Sequence, residues 1–489
     1  MDSLDIPEIT SLICQLLGQD DLASCVRVCK AWRDIFLPYL WRSVVVHTAS
    51  DSGPEPLRIG PSQDDIYNRR HLIHILILEG KLAGFDKKCY PNLHTLAICF
   101  ESDDGLTDAV ETISVDFIKT FPSLVSLALG SVELTPTAWM TLSALPHIKG
   151  IELDAIPIRD VDAPAFWKVC EKLESLQMSR IRMRDLTIPA DTVFHRIRHL
   201  EIEGVQQPDL QVQMDLILRC PSSEYVSWHI KEEEDIHEQT PIHHPIQNGH
   251  WPHLKTLNIT HPIQDTDMAT IIKGVGNGSG SIVNLSVNCT ELMDQAFKAI
   301  GHHFSTLVIV CLFGCHPGTS PGIRDILCGC PKLEILQGAS IYARDIVEGG
   351  PWVCLQLEEL EICFLMEEES DQDRQPLIFE HLSTLVRLER LLLRPSPMID
   401  GDQERVLAFR LGCGVDKLAS LQQLNYIHFG SGTQPMDDEG VGMEEIEWMI
   451  KNWKRLRGVQ GCLTTDKQLE AQLICKLQSP GIEYCPFAY

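Results

Sequence analysis

Cys311, Cys315, His316, Cys328 and Cys330 fall within a span of twenty residues and carry the thiol and imidazole groups that bind zinc. Their placement argues against a metal centre. Cys315 and Cys330 occupy positions that recur along the chain and favour a small buried side chain, and Cys311 lies between two apolar anchors. KGVGNGSGS at Lys273–Ser281 has the glycine content of a phosphate-cradling loop. It lacks both a strongly apolar preceding strand and a Gly-Lys-Ser/Thr ending, so it reads as a turn before IVNLSV. The pairs His243-His244 and His302-His303 sit in expected loops without ligand spacing. No Ser/His/Asp or Cys/His set has motif support. No catalytic residue, metal ligand or cofactor is therefore assigned, and an enzyme is not expected.

The elements around these residues repeat. An apolar residue or Cys, two variable positions and then Leu-x-x-Leu-x-Leu recur as FPSLVSLAL (Phe121–Leu129), LPHIKGIEL (Leu145–Leu153), CEKLESLQM (Cys170–Met178) and FHRIRHLEI (Phe194–Ile202). WPHLKTLNI (Trp251–Ile259) and CLQLEELEI (Cys354–Ile362) continue the series. The first Leu-type anchors fall at 72, 93, 124, 148, 173, 197, 223, 254, 282, 307, 333, 357, 388, 421 and 456, spaced by 21 to 35 residues. This brackets the period of leucine-rich repeats. In a strand the last two anchors point to one side, and a single unit leaves that row uncovered; stacking units buries it. Helix-like stretches such as Asp108–Phe121 return the chain over the other face.

The opening stretch has a different period. Asp5 and Glu8 are spaced as a capping box, with Pro7 in the first turn. Ile9, Leu12, Ile13, Leu16 and Leu17 then form one helical stripe that Gly18 ends. Asp20 or Asp21 can cap a second helix carrying Leu22, Cys25, Cys29, Trp32 and Phe36, and a short third segment, LPYLW, supplies Leu40 and Trp41. Three short helices have more apolar surface than they can hide among themselves, so some of it meets the repeats or another protein.

Ile6-Pro7-Glu8, Ile13, Leu16, Leu17, Asp21-Leu22, Cys25-Val26-Arg27-Val28-Cys29-Lys30-x-Trp32 and Leu40-Trp41 resemble an F-box, with Ile-Pro where Leu-Pro is usual. Followed by leucine-rich repeats, the chain resembles F-box/leucine-rich-repeat proteins of the fungal type. That resemblance implies docking on the Skp adaptor of a cullin-RING (SCF) ubiquitin ligase, with a protein substrate on the repeats. The adaptor contacts it implies are Ile6, Pro7, Ile9, Ile13, Leu16, Leu17, Leu22, Val28, Cys29, Trp32, Leu40 and Trp41. Some of these pack the three helices together instead, and sequence does not separate the two sets. A scaffold that binds partners without directing ubiquitination is the alternative.

The expected fold is α/β: a three-helix F-box and then a leucine-rich-repeat solenoid (horseshoe) of about fifteen irregular repeats. The expected boundaries are 1–46 for the F-box, 47–70 for a linker, 71–475 for the solenoid and 476–489 for a cap. On the concave sheet, outward positions include Glu152, Asp154, Gln177, His199, Glu201, Glu203, Tyr225 and His229; the acidic members suggest a basic substrate segment, and a solvated polar face is the alternative.

Composition agrees with an interaction protein. Of 489 residues, 44% are hydrophobic and 22% charged, as in folded domains. With 41 basic and 68 acidic residues the formal charge is −27, which disfavours nucleic acid and anionic membrane. No apolar run approaches the roughly 20 residues of a membrane helix. Asp2, Asp5 and Glu8 stand where a secretory signal wants positive charge, and the 18 cysteines are scattered in apolar stretches. A cytoplasmic or nuclear protein with reduced thiols is expected.

Overall fold

The computed structural model of the chain describes residues 7–47, 62–80, 89–99, 111–181, 187–204, 210–229, 246, 249–260, 263–276, 281–288, 292–313, 319–366, 373–393, 407–429, 441–461, 463–464 and 466–485. The chain divides into two compact units, Met1–Ser223 and Glu224–Tyr489.

The first unit opens with helices α1 (Pro7–Leu16), α2 (Gln19–Val28) and α3 (Lys30–Leu40). Gly18 does interrupt the chain, as extended backbone at the start of α2, and Asp20 and Asp21 lie in that helix's first turn. The second helix expected to reach Phe36 stops earlier. Cys29 is extended (φ −160°, ψ 174°), so Trp32 and Phe36 ride on α3, and LPYLW is the end of that helix with its C-cap.

Strands β1 (Ser43–His47), β2 (Ile75–Glu79), β3 (Thr95–Cys99), β4 (Glu111–Ile113), β5 (Ser126–Gly130), β6 (Val132–Leu134), β7 (Gly150–Asp154), β8 (Ser175–Ser179) and β9 (His199–Glu203) follow. β1, β2, β3, β5, β7, β8 and β9 pair in parallel in that order, while β4 and β6 form a separate short parallel pair. Within each rung the second and fourth residues are buried, as at Leu127 and Leu129, because side chains alternate faces. Behind the sheet, Trp139 and Phe166 meet edge-on at 5.1 Å, and Trp167 tilts onto Phe194 at 5.8 Å.

One hydrogen-bond pattern joins successive rungs. The carbonyl of Val125 accepts from the N–H groups of Lys149 and Gly150, and that of His74 from His94 and Thr95. The carbonyl of Arg42 accepts in the same way from His74 and Ile75, both at 2.9 Å. β1 is therefore a rung, with Trp41, Val44 and Val46 in the anchor places. The ladder begins inside the stretch expected to be helical, and the expected linker contains the helix Gln63–Arg69, capped by the Ser62 hydroxyl.

The second unit repeats the scheme in β10 (Tyr225–His229), β11 (Thr256–Thr260), β12 (Asn284–Asn288), β13 (Ile309–Phe313), β14 (Ile335–Tyr342), β15 (Glu359–Leu365), β16 (Arg390–Leu393), β17 (Tyr426–Phe429), β18 (Gly458–Gly461) and β19 (Glu483–Cys485), parallel and in sequence order. β19 and the end of helix Lys467–Gln478 lie in the stretch expected as a cap, of which 486–489 are outside the described residues. Two expected anchors shift. Ile73, Leu76 and Leu78 are buried in place of a set beginning at Leu72, and Leu424, Ile427 and Phe429 in place of one beginning at Leu421. A one-residue slip exchanges the two faces of a strand, so burial decides the register at β2. Leu421 is the apolar residue that leads its repeat, as Phe121 does, and Tyr426 pairs with Arg390. Each unit is thus an array of leucine-rich-repeat-like rungs, and the chain is α/β.

Candidate functional site

Two surfaces answer to the sequence candidates. The first is the three-helix module. Its small core is Cys14, Leu22 and Phe36, around which Ile13, Leu17, Cys25, Val26, Trp32, Ile35, Tyr39 and Leu40 are half-buried. Trp32 and Phe36 rings lie 5.4 Å apart. Leu22 thus holds α2 inside the module.

The other apolar positions point outward. Leu12 and Leu16 are 61% and 87% exposed, Ile9 is exposed beside them, and Val28 at the end of α2 is 62% exposed. Ile9, Leu12 and Leu16 follow i, i+3, i+7 spacing and share one face of α1. Cys29 is also exposed. Trp41 is half-buried beneath the Arg69 guanidinium, 4.6 Å from the ring centroid, and leads into β1. Pro7 opens α1, and Ile6 lies outside the described residues. The sequence had no means of dividing α1: a stripe wide enough to serve both sides reads the same as one buried stripe.

The second surface is the open face of the first unit's sheet. Register places Glu152, Gln177 and Glu201 in one row and Asp154, Ser179 and Glu203 in the next. The Gln177 amide donates to Glu201 at 3.1 Å and lies 3.2 Å from the His199 ring. Asp154 is held by Arg180, whose Nε donates at 2.7 Å and whose terminal nitrogen also bonds the carboxylate. That bond raises the Arg180 pKa further above its ordinary value. Arg180 was not a sequence candidate. Its backbone is left-handed (φ 54°), which turns the side chain back onto the preceding rung, and nothing in local sequence announces that conformation. Glu152 and Glu203 are the exposed carboxylates of the group.

Tyr225 and His229 belong to β10 in the second unit. There the His229 ring bonds the hydroxyls of Ser227 at 2.6 Å and Thr260 at 2.8 Å, and the Asn258 amide lies 3.2 Å away. Ser227 is fully buried in this network.

Among the remaining candidates, those described are held by burial and hydrogen bonds. Burial pushes the Cys330 thiol up to about 12, and Cys311 up to about 11 with Glu361 and Glu359 adding to the effect. Cys328 donates to the Gly350 carbonyl at 3.3 Å. Cys315 and His316 lie outside the described residues, and no group of three metal-binding side chains occurs among the described ones. In the glycine-rich segment, Gly274 is a helix C-cap and Val275 bridges to Trp251; residues 277–280 lie outside the described residues. His303 is buried as a strut between repeats. The pair His243-His244 lies outside the described residues.

Residues 7–47 match the F-box-like family model. They are an F-box-like domain. The match includes β1, so the F-box-like domain contributes the first rung of the ladder. No curated protein sequence matches the chain. Among solved structures, the chain is similar at 13% identity and a TM-score of 0.38 to the TLR13 chain of a TLR13–ssRNA13 complex, over 92% of this chain and 62% of that one. It is similar at 13% identity and a TM-score of 0.34 to the plant peptide hormone receptor RGFR1 in complex with RGF2, over 93% and 81%. The chain spans about three fifths of the TLR13 chain's length. An F-box-like domain joined to leucine-rich-repeat-like rungs points to a protein-interaction role. No described helix is long and apolar enough to cross a membrane.

Proposed function

We propose that the protein is the substrate-recognition subunit of an SCF-type (cullin-RING) ubiquitin ligase. The F-box-like domain docks on a Skp-type adaptor, and the repeats hold a protein substrate. The observation that carries the reading is the outward stripe Ile9–Leu12–Leu16, with Val28, on a domain of this kind. Each of these side chains, fully covered, contributes roughly 1.5–3 kcal/mol. Four together contribute roughly 6–12 kcal/mol toward docking, set against an association cost of about 4–15 kcal/mol.

The chain itself performs no chemistry in this reading. It holds a substrate lysine close to a charged ubiquitin-conjugating enzyme and so raises its effective concentration. Parallel rungs with shared hydrogen bonds make a stiff support, which keeps that concentration high. The substrate presents a basic segment to the Glu152–Glu203 region, and the complex works in the cytoplasm or nucleus.

The test is co-purification of the full chain with a Skp-type adaptor and a cullin, beside a Leu12→Asp, Leu16→Asp variant. The wild type is expected to retain both proteins and the variant neither. Retention of the adaptor without accumulation of any bound protein on deletion identifies a scaffold that does not direct ubiquitination. Equal retention by wild type and variant removes the docking stripe.

A further inference from the structure

The open face of the first unit changes character from rung to rung. Its central row runs Val45, Ile77, Ala97, Ala128, Glu152 and Gln177 on consecutive paired strands. Val45 is exposed, and Ile77, Ala97 and Ala128 are partly so. Small residues also flank the two alanines, with Ser126 and Gly130 on the same strand as Ala128 and Gly150 beside Glu152. The face is therefore hollow over β3 and β5, with the Ile77 side chain on one side and the Glu152 carboxylate on the other.

The charge around the hollow has one sign. Glu79 beside Ile77 contacts the His47 ring at 2.5 Å, and Asp154 is paired with Arg180. Glu152 is exposed and appears in no ion pair among the described residues. Cys99, which lies between Glu79 and Gly130 in the register, senses the same field. Burial first, then Glu79, Glu152 and Asp154, hold its thiol above the ordinary value. An apolar floor beside an unneutralised carboxylate accepts a group that is apolar at one point and cationic at another. It repels phosphate.

We propose that this hollow takes an extended segment of a protein partner carrying an apolar side chain two residues from a lysine or arginine. The spacing follows from the sheet. The seat between Ala97 and Ala128 lies one and a half strand steps from Glu152, about 7 Å, which an extended chain crosses in two residues, and side chains two residues apart face the same way. The apolar side chain rests on Ala97 and Ala128 against Ile77, and the cation pairs with Glu152. Opposite charge sets the register of the segment and apolar contact supplies its grip. This rests on the reading that the repeats hold a protein partner and adds which rungs hold it and by what chemistry.

The test is selection of a displayed random dodecapeptide library on the immobilised full chain, with the winning peptide then titrated by fluorescence anisotropy. Wild type, Glu152→Lys, Glu152→Gln, Ala128→Gln and, on the second unit's open face, Ser286→Lys are compared after matching their thermal melts. Expected is an apolar residue with Lys or Arg two positions away, bound at least about tenfold more weakly by Glu152→Lys and Ala128→Gln and equally by Ser286→Lys. Glu152→Gln keeps the shape and loses only the charge, so it falls between. Enriched peptides that bind Glu152→Lys and Ala128→Gln as well as wild type overturn the inference and leave the repeats as a partner-binding surface elsewhere. Absence of enrichment on every variant overturns both readings.

Discussion

On α1, Leu16 is 87% exposed while Cys14, two residues before it, is 5% exposed. The two mark the division of that helix between partner and core. Leu16→Asp adds a charge in water and is expected to leave the unfolding free energy within about 0.5 kcal/mol of wild type. It is expected to abolish adaptor retention in a pull-down. Cys14→Asp places a carboxylate in the small core and is expected to unfold the module, seen as lost helical circular dichroism. Were Leu16→Asp to unfold the protein as well, the division would be wrong.

His303 makes stability fall in mild acid. Its Nδ1 accepts from the Ser281 N–H at 3.2 Å, and its Nε2 lies 3.3 Å from the Ile272 carbonyl, so the neutral ring with a proton on Nε2 fits. Burial lowers its pKa below the ordinary histidine value. In the unfolded chain the ring takes up a proton sooner as pH drops. The stabilisation is thus complete above about pH 6.5 and declines, by up to about 1.4 kcal/mol per pH unit, until the folded pKa is passed. His74 and His381 are lowered for the same first reason and add to the trend. His303→Gln keeps an acceptor and a donor, and its melting temperature is expected to drop less than wild type between pH 7 and pH 5. Parallel curves would refute the assignment.

Asp265 links two repeats. Standing at the start of helix Asp265–Lys273, it accepts from the N–H groups of Met293 (2.8 Å), Gln295 (3.0 Å) and Ala296 (3.0 Å) at the start of the next repeat's helix. Asp265→Ala strips that cap and is expected to cost about 1–2 kcal/mol, read as a lower urea midpoint at constant slope. Asp265→Asn keeps an acceptor and is expected to lose less.

Ser131, Ala155 and Arg180 follow successive rungs with φ of 54°, 53° and 54°, and Gly204 takes the same place with φ 54°. The Ala155 N–H donates to the Ser179 carbonyl at 2.9 Å, so the conformation is held by the next rung. Removing the Cβ relieves about 1–2 kcal/mol of left-handed strain, less about 0.4–1 for the freer unfolded chain. Ala155→Gly is expected to raise stability by the difference in denaturant titration. Arg180→Gly also loses the bond to Asp154 and is expected to gain less. A destabilised Ala155→Gly would show that the conformation is not strained.

Much of this protein was legible because repetition multiplies a weak signal. One Leu-x-x-Leu-x-Leu says little, but many at similar spacing require parallel strands and a shared core, since each row of anchors must be covered by its neighbours. The rungs without that signature went unread: β1 carries Val44 and Val46 behind Trp41, and β19 is the short Glu483–Cys485. The three-helix module is legible by type, yet nothing in the sequence marks the break at Cys29, because the extended backbone between α2 and α3 has no Gly or Pro there.

Periodicity along the chain determined what this molecule is built from: short helices, then rungs with one apolar side. Only packing decided which apolar residues stay outside. Leu16 and Cys14 carry the same local information, and their difference arises from α2 and α3 lying on one side of α1. The hollow beside Glu152 likewise joins Ile77, Ala97 and Ala128 from separate rungs. Such proximity is a property of strand register, and no single stretch of the chain contains it.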